Sequence, residues 1–247
     1  MMLKKVFRRI ELMNRFERFE MLVGKETVQI LKSKKVIVFG VGGVGGYVCE
    51  ALARSGVGRV DVVDNDTVSI TNINRQIIAL ETTVGKSKTS VMAERMKSIN
   101  PEICTREYNM FYLPETAEEI DLSQYDFVVD AIDTVSGKLE LAIRCQRLGV
   151  PLVSSMGTGN KLDPTKIVVT DIYKTKVCPL ARVMRTLCKK NGIKKLTVVY
   201  SEEEPKTPLF QPKDNENPNK SIPASSAFVP PAAGLTIASY VLQKFMK

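Results

Sequence analysis

The sequence contains no histidine, no Cys-x-x-Cys pair and no apolar run long enough to cross a membrane. Without histidine, Ser-His-Asp triads, imidazole general bases and His-ligated metals are excluded. Five scattered cysteines predict neither a zinc site nor a disulfide framework, and free thiols are typical of a reducing cytoplasm. A membrane span needs about 20 apolar residues, and the charged start of the chain precedes no signal-like apolar region. We therefore predict a cytoplasmic protein with no membrane partner.

The length and the net charge of the chain indicate which class of protein it belongs to. The 247 residues, 44% hydrophobic and 26% charged, are typical of a soluble globular protein, and we treat 1–247 as a single domain. The net charge of +9 favours an acidic partner, above all nucleic acid. The alternative is a basic surface that only aids solubility.

Strand and helix patterns alternate along most of the chain. The spacing of apolar residues predicts helices over 43–55, 86–98 and 139–148. Runs rich in β-branched residues predict strands over 36–39, 59–64, 125–133, 151–156, 166–172 and 196–201. This alternation predicts an α/β fold with a Rossmann-like, doubly wound, mostly parallel sheet and flanking helices.

Three further segments have distinct compositions. The first, 1–34, has the pattern of an amphipathic helical segment that could dock on the protein itself or on a second subunit. The second, 202–223, is rich in Pro, Asn and Lys without a period, which predicts a mobile loop. The third, 224–247, predicts a C-terminal helix that begins at its prolines.

A glycine-rich turn follows the first predicted strand. Gly40, Gly42 and Gly45 fit the G-x-G-x-x-G pattern, with Gly43 inside it. Such a turn lets a phosphate approach the backbone at the positive end of a helix. Asp64, at the end of the second strand, is placed to accept hydrogen bonds from a ribose hydroxyl. The pattern indicates a nucleotide, most often NAD.

The residues after Asp64 favour ATP instead. Cations and amides beside the crevice suit a triphosphate whose charge must be neutralised. Asp130 and Asp133 follow another strand towards the same crevice, and Mg²⁺ typically takes one or two carboxylates together with phosphate oxygens. Together they indicate a site for ATP and Mg²⁺, whose cation and amide residues are Asn72, Asn74, Arg75, Gln76, Lys86 and Lys88.

The spaced motifs RFERF, GVGGVGG, DND, NRQ, GKSK and AIDT resemble those of the ATP-dependent adenylylating enzymes. That family includes ubiquitin-activating enzymes and the adenylyltransferases of molybdopterin and thiamine synthesis. The resemblance implies that a substrate carboxylate attacks the α-phosphate of ATP, so that pyrophosphate leaves and an acyl-adenylate forms. It also implies roles for five residues: Asp64 on the ribose, Asn72, Arg75 and Lys88 on the phosphates, and Asp133 on magnesium. Arg18 would reach into the neighbouring protomer's site across a homodimer.

Two cysteines raise the question of a covalent intermediate. In ubiquitin-type activation an enzyme cysteine attacks the adenylate, and Cys178 and Cys188 are the candidates here. The basic surroundings of Cys178 would favour its thiolate, although a lone cysteine is more often inert. The zinc-binding cysteine pairs common in molybdopterin- and thiamine-type members are missing.

A basic helix is predicted within 174–195. Pro179 suits its start and Gly192 its end. An apolar face formed by Leu180, Val183, Met184 and Leu187 leaves three cations on the opposite side. A purely cationic side is typical of a phosphate-backbone contact, so we predict tRNA binding through Arg182, Arg185 and Lys189.

Within the adenylylating family, the whole chain is similar to the tRNA threonylcarbamoyladenosine dehydratases. The segments KLDPTKIVVTDI, PLARVMR and SSAFVPPAAGL carry this similarity. It implies ATP-dependent dehydration of N6-threonylcarbamoyladenosine in tRNA to a cyclic form, and closure within one side chain needs no enzyme nucleophile. Other hypotheses stay open: an activator of a ubiquitin-like or sulfur-carrier protein, an NAD-dependent oxidoreductase, and a non-catalytic scaffold. A sulfur-transfer protein is a further candidate partner.

Overall fold

Seven strands form one sheet in the order β3-β2-β1-β4-β5-β7-β6. The structure, a computed structural model, describes residues 14–211 and 222–246. Every neighbouring pair is parallel except β6 with β7, which is antiparallel. The strands are β1 (Lys35–Phe39), β2 (Arg59–Val63), β3 (Glu107–Tyr108), β4 (Phe127–Asp130), β5 (Leu152–Ser155), β6 (Ile167–Asp171) and β7 (Thr197–Ser201). The predicted α/β fold with a mostly parallel sheet is confirmed.

Helices cover both faces of this sheet, as a parallel sheet requires. Successive side chains of β1 point to opposite faces: Val36 and Val38 belong to one apolar cluster, whereas Ile37 and Phe39 belong to another. The helices are α1 (Glu17–Val23), α2 (Lys25–Ser33), α3 (Gly45–Arg54), α4 (Lys88–Ile99), α5 (Val135–Leu148), α6 (Pro179–Lys190) and α7 (Val229–Phe245). Helices α3, α4 and α7 contribute to the Val36 face, and α5 and α6 to the other.

The winding direction of the sheet reverses at β1. Phe39, the last residue of β1, is in register with Val63 of β2 on one side and Asp130 of β4 on the other. The chain goes from β1 to β2 in one direction and later returns to β4 in the other. In open α/β sheets the crevice at the carboxyl ends of such strands is where ligands bind. The loops after β1, β2 and β4 therefore define the site.

Several predicted boundaries differ from the structure. The apolar run that predicted a strand to 133 pairs only to Asp130, because β1 ends opposite that residue. Helix α5 begins earlier than predicted, at Val135. The two-residue strand β3 was not predicted, because two residues carry no periodicity.

The terminal segments also differ. Within 14–34 the chain forms two short helices rather than one amphipathic segment, because Gly24 has a positive φ of 87° that ends α1. Residues 1–13 lie outside the described ranges. At the other end, the helix begins at Val229 rather than 224.

The predicted loop is only partly described. Over 202–211 its backbone is irregular, and Glu203 accepts hydrogen bonds from the amides of Leu162 and Asp163. Residues 212–221 lie outside the described ranges. Among the helices of the described chain, none has the length and apolar content that a membrane crossing needs.

Candidate functional site

The turn between β1 and α3 forms a cradle of backbone amides. A Cβ at Gly40 would lie 2.7 Å from the carbonyl oxygen of Ala131, and one at Gly45 would lie 1.8 Å from that of Gly40. Glycine is therefore required at both positions for the loop to pack against the sheet. Within the described ranges, the amides of Gly42, Gly43 and Val44 donate to no protein acceptor. These amides precede the first turn of α3, where an anion is favoured.

Gly42 itself faces open space. The nearest atom to a Cβ there would be Gln76 Nε2, at 3.8 Å. The protein thus leaves room above this amide, whereas Gly43 packs closely under Pro230 and Arg75. Gln76 is buried, and its Oε1 has no hydrogen-bond donor in the described part of the chain. A buried acceptor without a partner beside the cradle is suited to a ligand that brings a donor.

Asp64 links the glycine loop to the loop after β2. Its Oδ2 accepts a hydrogen bond from the amide of Val41 at 2.6 Å, and its Oδ1 accepts one from the amide of Asp66 at 2.9 Å. Each carboxylate oxygen can accept a second hydrogen bond. The half-buried Asp64 is thus fixed at the carboxyl end of β2 with acceptor capacity for a ribose hydroxyl.

Arg75 is a half-buried cation over the glycine loop. Its Cγ would lie 3.3 Å from a Cβ at Gly43, and its Nη1 donates to the carbonyl oxygen of Thr71 and to Asn74 Oδ1. No carboxylate of the described residues lies within 4 Å of its guanidinium. Burial lowers the pKa of Arg75 from its usual value. A cation that lacks a protein counterion suits a phosphate.

Asn72 is buried and organises the turn that presents Arg75. Its Oδ1 accepts from the amide of Ser69, and its carbonyl oxygen accepts from the amides of Arg75 and Gln76. Its side-chain nitrogen, Nδ2, keeps its donor capacity, which suits the predicted phosphate contact.

Lys88 is the first residue of α4 and is almost completely buried. Its Nζ donates to Asp66 Oδ2 at 2.6 Å, and its amide donates to the carbonyl oxygen of Asp66. Asp66 in turn is bonded to Asp64, so a chain of hydrogen bonds connects the glycine loop to Lys88. No role was predicted for Asp66, although the residue is part of the DND motif. Lys86, by contrast, is exposed.

Asp130, the last residue of β4, and Asp133, on the loop that follows, have different environments. Asp130 does not face the crevice, which corrects the prediction. It is fully buried, and its carboxylate accepts from Lys138 Nζ at 3.0 Å and from Ser154 Oγ. A carboxylate inside the sheet needs such a partner, and Lys138 supplies it from α5. Asp133 is exposed on the loop before α5. It follows Ala131, whose carbonyl packs against Gly40.

Arg18 lies on α1 and is exposed. The described ranges contain no cluster of three or more His, Cys, Asp or Glu residues that could hold a metal ion.

The predicted basic helix exists as α6, but its faces differ from the prediction. The buried side consists of Ala181, Met184 and Cys188, whereas Val183 is 46% exposed. Arg182 and Lys189 are exposed as predicted. Arg185 lies at the edge of the buried side, and its Nη1 donates to the carbonyl oxygen and hydroxyl of Thr175. The cations thus line one flank of the helix rather than the side opposite the core.

Neither candidate cysteine is exposed. Cys178 is 3% exposed and its Sγ packs against Gly157, and Cys188 is fully buried in the α6 cluster. Burial raises the pKa of the Cys188 thiol to about 11. This environment disfavours a nucleophilic role, since the thiolate is the reactive form.

These loops bring free backbone amides together with the cations Arg75 and Lys88, in agreement with the sequence motifs. A family model matches the chain as well. The model described as the ThiF family covers residues 16–246. This chain belongs to the ThiF family. The resemblance to its adenylylating enzymes is thereby confirmed.

This ThiF-family chain is 43% identical over 244 residues to a tRNA threonylcarbamoyladenosine dehydratase of Bacillus subtilis, and the match covers 96% of each chain. It is also similar to the solved structure of the Escherichia coli tRNA N6-threonylcarbamoyladenosine dehydratase in complex with ATP. The TM-score is 0.85, with 36% identity and coverage of 94% of this chain and 93% of the other. The same enzyme in complex with AMP gives a TM-score of 0.86 with 36% identity and 94% coverage of both chains. The predicted similarity to this group within the family is confirmed.

Proposed function

We propose that this chain catalyses the ATP-dependent dehydration of N6-threonylcarbamoyladenosine in tRNA. The observation that carries the proposal is the match, over nearly the full length of both chains, to a dehydratase, together with an ATP-type crevice at the switch point of the sheet. The relative with a comparable fold was solved with ATP and with AMP, the substrate and product of an adenylylation. An NAD-dependent reaction is disfavoured, because Arg75 and Lys88 place two cations beside the glycine loop.

The residues suggest how the crevice would act. The free amides of Gly42, Gly43 and Val44 would donate hydrogen bonds to phosphate oxygens. The carboxylate of Asp64 would accept a hydrogen bond from a ribose hydroxyl. Arg75 and Lys88 would stabilise charge on the phosphates as the threonyl carboxylate attacks the α-phosphorus and pyrophosphate leaves. A group of the same side chain then attacks the acyl carbon, and AMP departs with one carboxylate oxygen. That attacking group is already held beside the acyl carbon, so neither a cysteine nor a histidine is needed.

Magnesium is the second component of the proposal. Asp133 is exposed on the loop after β4 with no side-chain hydrogen-bond partner in the described ranges, so its carboxylate would be available to a Mg²⁺ bound with the phosphates. A bound Mg²⁺ would neutralise phosphate charge and orient the leaving pyrophosphate.

The proposal also covers the oligomeric state, the tRNA contact, a protein partner and the location of the protein. We expect a homodimer in which Arg18 reaches the site of the partner subunit, and tRNA bound at Arg182, Arg185 and Lys189. A sulfur-transfer protein stays a candidate partner. All five cysteines are unpaired, which is consistent with the cytoplasm as the location.

An isotope experiment tests the mechanism. The threonyl carboxylate of the modified tRNA is labelled with ¹⁸O and incubated with the protein and Mg-ATP, and the released AMP is analysed by mass spectrometry. We expect one ¹⁸O atom in AMP for each nucleoside converted. Release of ADP, or of unlabelled AMP, would contradict adenylylation of the carboxylate.

The alternative function is tested by measuring pyrophosphate release. An activator of a ubiquitin-like or sulfur-carrier protein would release pyrophosphate only when supplied with such a protein ending in a free glycine carboxylate. We expect turnover with the modified tRNA and none with the carrier protein alone.

A further inference from the structure

A cleft rich in lysine lies at the edge of the sheet opposite the nucleotide crevice. Its volume is about 680 Å³, and its lining includes the first residues of β4, β5 and β7. These strands are parallel, so their first residues lie at the end away from the glycine loop. Four lysines line it: Lys34, Lys194, Lys195 and Lys244.

The cleft has a positive net charge. Asp126 is the one acid among its lining residues, which all belong to the described ranges. That carboxylate already accepts from Lys34 Nζ at 3.2 Å and from the amide of Lys35 at 2.8 Å. The other three lysines have no carboxylate within 4 Å in the part of the chain that the structure describes. Such a surface attracts an anionic partner.

The fold accounts for two of these lysines but not for the other two. Lys34 and Lys244 lie at the ends of α2 and α7, where a cation complements the helix dipole. Each also lies over an aromatic ring, Lys34 over Phe245 at 5.4 Å and Lys244 over Tyr240 at 5.2 Å. Lys194 and Lys195 are exposed in the connection between α6 and β7. Within the described ranges, neither lies in the last turn of a helix or over an aromatic ring.

Helix α6 runs from the edge of the sheet that holds the nucleotide crevice towards this cleft. The helix begins beside Gly157, which follows the carboxyl end of β5, and its 12 residues span about 18 Å towards the start of β7. Its second half contributes Arg185, Lys189 and Lys190 to a depression of about 530 Å³ that Tyr173 also lines. Cations therefore line both α6 and the cleft beyond its last turn, and Asp171 lies between the two depressions, where it accepts from the amides of Tyr173 and Leu196.

We propose that the phosphate backbone of tRNA follows α6 into this cleft, where Lys194 and Lys195 contact it. The inference rests on the proposed function and extends it: the modified nucleoside would react at one edge of the sheet while the rest of the tRNA is held at the other. Two neighbouring depressions that are both rich in cations match a polyanion, since each neutralised phosphate releases counterions.

The test compares two double variants with equal loss of charge. Lys194→Gln/Lys195→Gln removes the cleft cations, and Lys25→Gln/Lys97→Gln removes two exposed lysines that line neither depression. The Kd for the modified tRNA is measured by fluorescence anisotropy at several KCl concentrations. For the cleft variant we expect a Kd about tenfold higher near 0.1 M salt and a salt slope reduced by about 2. The rate at saturating tRNA and the KM for ATP stay unchanged, and the control variant behaves like the wild type.

The outcomes separate this inference from the proposed function. If the cleft variant binds tRNA with wild-type affinity and slope while the wild type dehydrates the nucleoside, the inference is wrong and the function stands. If the wild type binds tRNA through the cleft lysines but leaves the nucleoside unchanged, the function fails and the RNA contact stands. A third outcome is that the cleft variant binds phosphatidylserine vesicles more weakly than the wild type but binds tRNA equally well. That result would assign the cleft to a membrane surface and overturn the inference.

Discussion

Lys88 Nζ lies 2.6 Å from Asp66 Oδ2, although the lysine side chain is 7% exposed and the aspartate 58%. The buried cation therefore has its counterion at the rim of the crevice, where an incoming phosphate can share or replace it. This pair differs from Lys138 and Asp130, which bury both charges completely. The first arrangement is suited to binding a ligand and the second to holding the fold together.

Replacing Lys88 by alanine should abolish most ATP turnover. In the proposed function this cation stabilises phosphate charge, so we expect kcat/KM to fall about 10²- to 10³-fold. Pyrophosphate release with modified tRNA measures the effect. The control is Lys97→Ala, an exposed lysine in the last turn of the same helix, which should retain full activity. Equal activity of both variants would exclude the phosphate role of Lys88.

Replacing Arg75 by lysine should weaken ATP binding although the charge is kept. The guanidinium is positioned by Thr71 and Asn74 over the glycine loop, and an ammonium cannot form two parallel hydrogen bonds to a phosphate. We expect the KM for ATP to rise about 10- to 100-fold, with unchanged tRNA affinity. A wild-type KM in this variant would contradict the assignment.

Asp130 at the end of β4 and Asp133 on the loop that follows should respond in different ways to substitution by asparagine. Asp130→Asn leaves Lys138 buried without its counter-charge, so the free energy of unfolding should fall by about 3–5 kcal/mol. Asp133→Asn should change it by less than about 0.5 kcal/mol, because the side chain is exposed. It should instead raise the Mg²⁺ concentration needed for half-maximal turnover. Urea denaturation and a magnesium titration measure the two effects, and an unchanged magnesium requirement would count against Asp133 as a ligand.

Glu50 should make stability depend on acid pH. Burial raises the pKa of this carboxyl, but hydrogen bonds from Arg95 and Arg54 outweigh burial and hold the pKa below its usual value of 4.5. Because the folded-state pKa is lowered, the stabilisation is present above about pH 4.5 and is lost as the pH falls through the folded value. Glu50→Gln should be less stable than the wild type by about 1–3 kcal/mol at pH 7. The difference should shrink towards pH 3 in denaturant titrations; a constant difference would contradict the account.

The fold and the nucleotide crevice could be predicted because their signals are local. Buried parallel strands have continuous apolar runs, and the G-x-G-x-x-G turn lies between the first strand and its helix. The predictions failed where the packing of helices on the sheet decides the outcome. Asp130 was assigned to the crevice because the sequence does not show that Lys138, eight residues later on the following helix, packs against it.

The basic helix α6 is a second case in which packing, and not the local sequence, decides which residues are buried. Helical spacing predicted that Val183 would be buried, but α6 packs through Ala181, Met184 and Cys188, which rotates the helix and brings Arg185 to Thr175. The choice between two nearly equivalent apolar faces depends on the shape of the core, which the spacing does not contain. For Asp66 a signal did exist, since the residue is two positions after Asp64 at the same strand end.

The most direct test of the proposed function is mass spectrometry of the nucleosides from tRNA carrying threonylcarbamoyladenosine, treated with the protein with and without Mg-ATP. The proposal predicts that this nucleoside loses the mass of one water molecule only when ATP is present, and that Lys88→Ala prevents the loss. An unchanged nucleoside, under conditions where the protein still binds ATP and tRNA, would contradict it.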